Sequence, residues 1–247
     1  MVDMNSVLQE FVQESAIPIF GIAGAGGFEH ARPGWHPKEL MPRCNSVVVF
    51  GRPFVPYPYN VDQKTHMIDG SWFDVNEPVY RTVAEWRGEL VNLFDNFGLG
   101  VASFGGFWIS SEPTFSYRLA QHEAGVGVFG RFGVCLNPDF GCNYLVGVLL
   151  TEAELTPSDR DALIGFEPCA GCTLCAEVCP IKAIDGSRAP AEGYNMELCF
   201  RFLLTLRQRH VQDPIYRYEE VKFCGRCFSV CPWATDKLDR GTASHMP

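Results

Sequence analysis

The chain has 247 residues, 47% of them hydrophobic, enough to bury a sizeable core as one main domain with a small satellite. Its formal net charge of -9, with no basic run and no aromatic-interleaved basic patch, argues against nucleic acid as a direct partner. No apolar run approaches bilayer length, and Met1-Val-Asp-Met-Asn5 has neither the charged start of a signal peptide nor a twin arginine, so a cytoplasmic protein without a membrane partner is expected.

Ser6-Val-Leu-Gln9 has capping-box spacing, and Val7, Leu8, Phe11 and Val12 recur on one face, which predicts an opening amphipathic helix. Ile17 to Ala23 reads as a strand. The Gly24-Ala-Gly-Gly27 that follows lacks the spacing of a dinucleotide-binding turn, and Pro33 and Pro37 break what comes next, so a loop is expected. Ser46 to Phe50, with its run Val47-Val-Val49, fits a strand buried on both faces in mid-sheet. Pro53 to Tyr59 is too proline-rich for ladder or helix, and Lys64 and His66 fall in a polar loop.

Asn76-Glu-Pro78 starts the longest helix. Val79, Val83, Trp86, Leu90, Leu93, Phe94 and Phe97 mark its core face, and Gly98 ends it. Gly100 to Phe104 predicts a short strand, Gly105-Gly106 a turn, and Thr114 to Ala124 a second helix stopped by Gly125. A glycine-rich run then reaches Gly133. Val134-Cys-Leu136, the turn Asn137-Pro-Asp-Phe-Gly141 and Tyr144 to Leu150 read as a hairpin. Five glycines, at 125, 127, 130, 133 and 141, suggest backbone pressed against a large flat or branched ligand. Thr151 to Pro168 is acidic and turn-rich, the expected linker.

Cys169-Ala-Gly-Cys172-Thr-Leu-Cys175-Ala-Glu-Val-Cys179-Pro180 has the spacing that wraps a 4Fe-4S cube, each iron taking one thiolate. In two-cluster ferredoxins the last cysteine of such a run crosses to the second cluster. Cys224-Gly-Arg-Cys227-Phe-Ser-Val-Cys231-Pro232 repeats the gaps and the terminal proline but lacks one cysteine, which Cys199 can supply. The expected sets are Cys169, Cys172, Cys175 and Cys231 for one cluster, and Cys179, Cys199, Cys224 and Cys227 for the other. Structural zinc or a disulfide framework shares part of the spacing, but neither has a use for paired Cys-Pro ends. Cys44, Cys135 and Cys142 remain, as small core residues.

These motifs, their order and the glycine-rich segment before them resemble the cobalamin-dependent iron-sulfur reductases, which comprise epoxyqueuosine reductases and reductive dehalogenases. Cys231-Pro-Trp233 and Glu197-Leu-Cys199-Phe look like the first kind. Ala124-Gly-Val-Gly-Val-Phe-Gly-Arg131-Phe-Gly with Asn137-Pro-Asp-Phe-Gly141 is nearer the second, and His36 to Pro42 with Ser46 to Val49 is similar to a segment of both. The resemblance implies an α/β fold: a nitroreductase-like corrinoid-binding domain over residues 1–160, then a ferredoxin-like domain with two 4Fe-4S clusters over residues 161–247.

It also implies cobalamin as cofactor, with FMN the alternative, and Gly127, Gly130, Arg131, Gly133, Phe140 and Gly141 as the residues around it. A low-potential donor such as ferredoxin or flavodoxin, a corrinoid protein and a second copy of the chain are the implied partners. The chain departs from the pattern at Ser110, where an epoxyqueuosine reductase carries its catalytic Asp. Glu112 is the nearby acid, although a solvated residue at a helix start explains it as well. Arg131 stands where the family usually has lysine and cannot donate a proton near neutral pH. The implied function is a cytoplasmic reductase passing electrons through two clusters to a corrinoid that reduces a small organic substrate. The alternative is an electron-transfer protein that reduces a partner's corrinoid or flavin and has no substrate of its own.

Overall fold

The computed structural model describes residues 2–54, 67–68, 76–104, 115–190, 192–210 and 223–234. Most of the 53–59 segment, Lys64, His66, Gly105, Gly106, Ser110, Glu112 and the predicted helix start at Thr114 lie outside them.

The chain forms two compact units: Met1–Pro53 with Val79–Val128 and Tyr144–Phe166, and Phe54–Pro78 with Phe129–Asn143 and Glu167–Pro247. The boundary near the cysteines falls at 166/167, and two earlier segments belong with them.

In the first unit, helix α1 (Met4–Glu14) starts one turn before the predicted cap. Asp3 is the N-cap: its carboxylate accepts from the Asn5 N–H at 3.1 Å and from the Ser6 hydroxyl at 2.6 Å, so Ser6 sits inside the helix. Strands β1 (Ile19–Gly24), β2 (Ser46–Pro53), β3 (Val101–Ser103) and β4 (Tyr144–Thr151) form one sheet in the order β1-β2-β4-β3, with every pairing antiparallel. β2 is central, as its unbroken apolar run predicts. β4 pairs with β2 and β3 and does not fold back on Val134-Cys-Leu136. Its near-continuous apolar run is long enough to fill the sheet between two partners.

Helix α2 (Glu77–Asn96) turns Val79, Val83, Trp86, Leu90 and Phe94 inward. That stripe meets Leu8 of α1 and Ile22, Val48, Phe50 and Leu149 of the sheet in one core, where Leu8, Val48, Phe50, Leu90, Phe94 and Leu149 are fully buried. Helix α3 (Tyr117–Glu123) is capped by Ser116, whose hydroxyl accepts from the Leu119 N–H. The chain just after it crosses β1 at Gly21, where a Cβ would stand 2.3 Å from the Ala124 carbonyl oxygen and 2.9 Å from Val126. Only glycine permits that approach.

The acidic segment after β4 is not a free linker. The buried Ser46 hydroxyl donates to the Ala153 carbonyl at 2.9 Å and accepts from the Leu155 N–H at 3.0 Å. Ser158 accepts from the Ile22 N–H, and Asn5 accepts from the Thr156 N–H. Ala153 and Leu155 join the core, so this stretch is a strap along the first unit.

Candidate iron-sulfur centres

The second unit gathers the cysteines by short-range backbone chemistry. Tight turns carry Cys169 and Cys172: the Cys172 N–H donates to the Cys169 carbonyl, and Gly171 takes φ 66°. Cys175 lies on helix α4 (Leu174–Val178), and Cys179 is its C-cap with φ -65° and ψ 113°. Pro180 forces that extended conformation on the residue before it, so Cys179 leaves the helical path. Cys199 sits in the first turn of helix α5 (Met196–His210), where Asn195 accepts from the Leu198 N–H. Cys224 pairs with Met67 in a short antiparallel ladder. Cys227 follows on helix α6 (Arg226–Ser229), and Cys231 turns out of it before Pro232.

The thiols fall into two electrostatic neighbourhoods. Burial pushes Cys175 up to about 11, and the charges of Cys169, Cys231 and Cys172 add to that. Cys231 is likewise pushed up to about 11 by burial, with Cys169 and Cys172 beside it. Burial raises Cys224, next to Cys199 and Cys179, and raises Cys227 well above the ordinary thiol range, with Cys224 and Cys199 close by. Cys227 also feels Cys175, so the two groups adjoin. Among the described residues no three His, Cys, Asp or Glu side chains converge as a single metal ion requires. A 4Fe-4S cube takes each thiolate at a different iron, so its ligands need not converge on one point. Thiols partly or wholly removed from water, several of them disfavouring one another's ionisation, fit a cationic iron core, which stabilises thiolates together.

Arg131 is 7% exposed, and its guanidinium is fully engaged within the second unit. Nε donates to the Cys172 carbonyl at 2.9 Å, Nη1 to the carbonyls of Gly186 at 3.0 Å and of Arg188, and Nη2 to the Cys169 carbonyl at 3.5 Å. Its backbone N–H points at Cys169 Sγ, 3.4 Å away. These bonds tie Arg131 to the first cysteine loop and to the turn at residues 186–188.

The glycines answer local demands too. Gly130 and Gly133 close a tight turn, in which the Gly130 N–H donates to Val134 and Gly133 has φ 82°. Gly141 has φ 59° and closes a loop on Asn137, whose side chain accepts from the N–H groups of Asp139 and Phe140. Gly127 ends the first unit, where its backbone meets the His122 ring. At Gly125 and Gly130 the space a side chain would need is taken by the chain itself, by the Asp159 carbonyl and by the Val134 carbonyl with Leu136. Residues 129–143 instead brace the cysteine segments: Phe132 packs edge-on against Phe228 at 4.9 Å, and Asn143 donates to the Ala234 carbonyl at 2.8 Å. Trp233 donates to the Pro168 carbonyl at 3.2 Å. Nothing local in the sequence points to this bracing. The one available signal was the Cys231-Pro-Trp233 ending.

Cys44, Cys135 and Cys142 are buried. Cys44 donates to the Ser46 carbonyl, and Cys142, raised by burial and then by the charge of Cys231, lies by the Trp233 carbonyl. The first unit holds a cavity of about 180 Å³ bordered by Tyr80, Val83, Arg87, Phe104, Tyr117 and Gly147. This is below the roughly 300–1,000 Å³ of small-molecule sites. Burial pushes Tyr117 up to about 12, with the Arg87 charge opposing, and its hydroxyl donates to the Phe104 carbonyl.

Comparison with known proteins first defines a class. Residues 168–234, which hold all eight cysteines of the two sets, match the 4Fe-4S double cluster binding domain family, so this is an α/β protein with a double-cluster iron-sulfur domain. The chain is a homologue of the epoxyqueuosine reductases and reductive dehalogenases. It is 32% identical to an epoxyqueuosine reductase of Staphylococcus aureus over 47% of this chain and 29% of that protein. It is also 32% identical to the tetrachloroethene reductive dehalogenase of Sulfurospirillum multivorans over 47% of this chain and 23% of the relative. The matched stretches thus span less than a third of these relatives.

Among solved structures, an epoxyqueuosine reductase crystallised with a modified tRNA-Tyr stem loop shares the fold with a TM-score of 0.62 at 17% identity, over 95% of this chain and 67% of that one. A catabolic reductive dehalogenase does so with a TM-score of 0.61 at 21% identity, over 91% and 31%. The first of these was solved with a tRNA stem loop, a class of partner that charge alone did not lead one to expect for this chain. Cobalamin has a counterpart among the neighbours, one of which is described by its B12-dependent dehalogenation; FMN has no support there. No helix among the described residues is long and apolar enough to cross a membrane.

Proposed function

We propose that the chain is an iron-sulfur oxidoreductase whose two 4Fe-4S clusters are held by Cys169, Cys172, Cys175 and Cys231 and by Cys179, Cys199, Cys224 and Cys227. The carrying observation is the crossed grouping: each Cys-Pro cysteine stands in the field of the other motif's thiols. Bound there, clusters supply one-electron transfer. The chain's own part is to fix the thiols and exclude water: Pro180 and Pro232 turn the terminal cysteines, Arg131 holds the first loop, and Trp233 ties the second motif to Pro168.

Downstream of the clusters, the reading is a corrinoid-dependent reduction of a small organic molecule, supported by the B12-dependent dehalogenase among the structural neighbours. The described backbone bonds of the 127–141 glycine segment close local turns within the segment, so no step is assigned to residues there. The same observation favours a second reading, in which electrons from a low-potential donor such as ferredoxin or flavodoxin pass on to the corrinoid of a partner protein. Anaerobic titration of the cluster-loaded chain with cob(II)alamin, followed by electron paramagnetic resonance, separates the two. Stoichiometric binding with loss of the lower-base nitrogen splitting supports a resident corrinoid and directs a turnover screen of small organic substrates alongside a tRNA stem loop. An unchanged free-cobalamin spectrum refutes the resident corrinoid and leaves the electron carrier.

A further inference from the structure

Arg131 carries more interaction than holding a loop in place requires. Four side-chain N–H donors of its planar fork reach carbonyls of Cys169, Cys172, Gly186 and Arg188, so the cation is locked beside two cysteines of the first set. A lysine at the same place offers three donors from one point and cannot reproduce that span. The Arg131 backbone N–H adds a hydrogen bond to the sulfur of Cys169.

We infer that Arg131 is a positioning residue that sets the reduction potential of the cluster on Cys169, Cys172, Cys175 and Cys231, making it the more easily reduced of the two. The inference rests on the two-cluster reading above. One-electron reduction adds one negative charge to a cluster and its thiolates, and a nearby fixed cation and an N–H bond to sulfur both stabilise that charge.

The second set has an arginine as well. Arg226 acts on Cys224 through its backbone N–H and its charge. Its side chain is only half-buried, where water screens a charge more than in the enclosed position of Arg131. The Asp185 carboxylate also feels Arg131, but it is fully solvent-exposed and offsets the cation weakly.

The test is a dithionite-poised redox titration followed by electron paramagnetic resonance on wild type, Arg131→Gln and Arg131→Lys, with iron and sulfide assayed on each. Cys172→Ser and Cys224→Ser assign each wave to a set. The wild type should give two waves, the higher belonging to the first set. Arg131→Gln should weaken that set's electron affinity about tenfold, moving its wave about 59 mV negative for one electron, at unchanged iron. Arg131→Lys, which keeps the charge, should move it less. An unmoved wave in Arg131→Gln overturns the inference. Loss of iron from the first set in both variants also overturns it, leaving Arg131 a structural clamp. A wild type without bound iron refutes the underlying cluster assignment instead.

Discussion

Replacing Ser46 with alanine tests whether the acidic strap belongs to the first unit's core. The hydroxyl is 1% exposed and serves two backbone groups at once, donating to Ala153 at 2.9 Å and accepting from Leu155 at 3.0 Å. Removing it leaves a carbonyl and an N–H buried against Ala153 and Leu155, themselves 2% and 6% exposed. Each unsatisfied group costs about 1–3 kcal/mol, and relaxation of the strap returns part of this, so a net loss of about 2–4 kcal/mol is expected. For a chain of this length that lowers the apparent melting temperature by roughly 5–12 °C. The assay is far-UV circular dichroism on anaerobic, cluster-loaded protein at a fixed scan rate, because cluster loss makes only same-rate comparisons meaningful. Limited proteolysis should show faster cutting within 152–166. Stability within about 0.5 kcal/mol of wild type and an unchanged cleavage pattern would refute the strap, and the segment would then be the linker its composition suggests.

The crossed ligand sets predict that Cys179→Ser alters the same cluster signal as Cys224→Ser, and Cys231→Ser the same signal as Cys175→Ser; pairing by motif instead would overturn them. His122 is depressed by burial first and then by Arg160, whose guanidinium donates to its Nε2 at 3.0 Å. The unfolded chain then binds the proton more readily, so this contribution to stability is present above the unfolded-state value and lost as pH falls through the folded one. Denaturation of wild type between pH 7 and 5 should show that slope, and His122→Gln should flatten it. Gly147→Ala puts a Cβ 2.4 Å from the Phe50 ring, which is fully buried and cannot swing to solvent, so a loss of about 1–3 kcal/mol is expected. The additional mutation Phe50→Leu should recover part of it in a double-mutant cycle, and no recovery would argue that the clash lies elsewhere.

What could be read from the sequence divides by the range of the interaction. Helix α2 and strand β2 are legible because their apolar periodicity is local, and the double-cluster domain because cysteine spacing and Cys-Pro turns are local chemistry. The role of Arg131 is not legible, since its carbonyl partners lie 38 to 57 residues downstream and a glycine run reads the same whether it cradles a ligand or folds on itself. The strap looked like a linker for a similar reason. Its anchors are single hydroxyl and amide groups such as Ser46 and Asn5, more than a hundred residues away, and leave no periodic trace. The start of α1 was misplaced by three residues because Asp3 and Ser6 are both good caps, and the choice between them turns on one carboxylate accepting two bonds.

The interleaved path of the chain has a consequence for how such a protein can be built and rebuilt. Arg131, Phe132 and Asn143 are synthesised before any of the eight cysteines of the two sets, so their partners do not exist when they leave the ribosome. Arg131 waits for the first motif and the turn at residues 186–188, and Phe132 and Asn143 wait for the last motif. A fragment starting at residue 167 would carry all eight thiols of the two sets yet none of these braces. Grafting the electron-carrying part onto another enzyme therefore means moving three separate segments rather than making one terminal fusion, and a lineage exchanging modules by simple end-to-end recombination would find this one hard to lend.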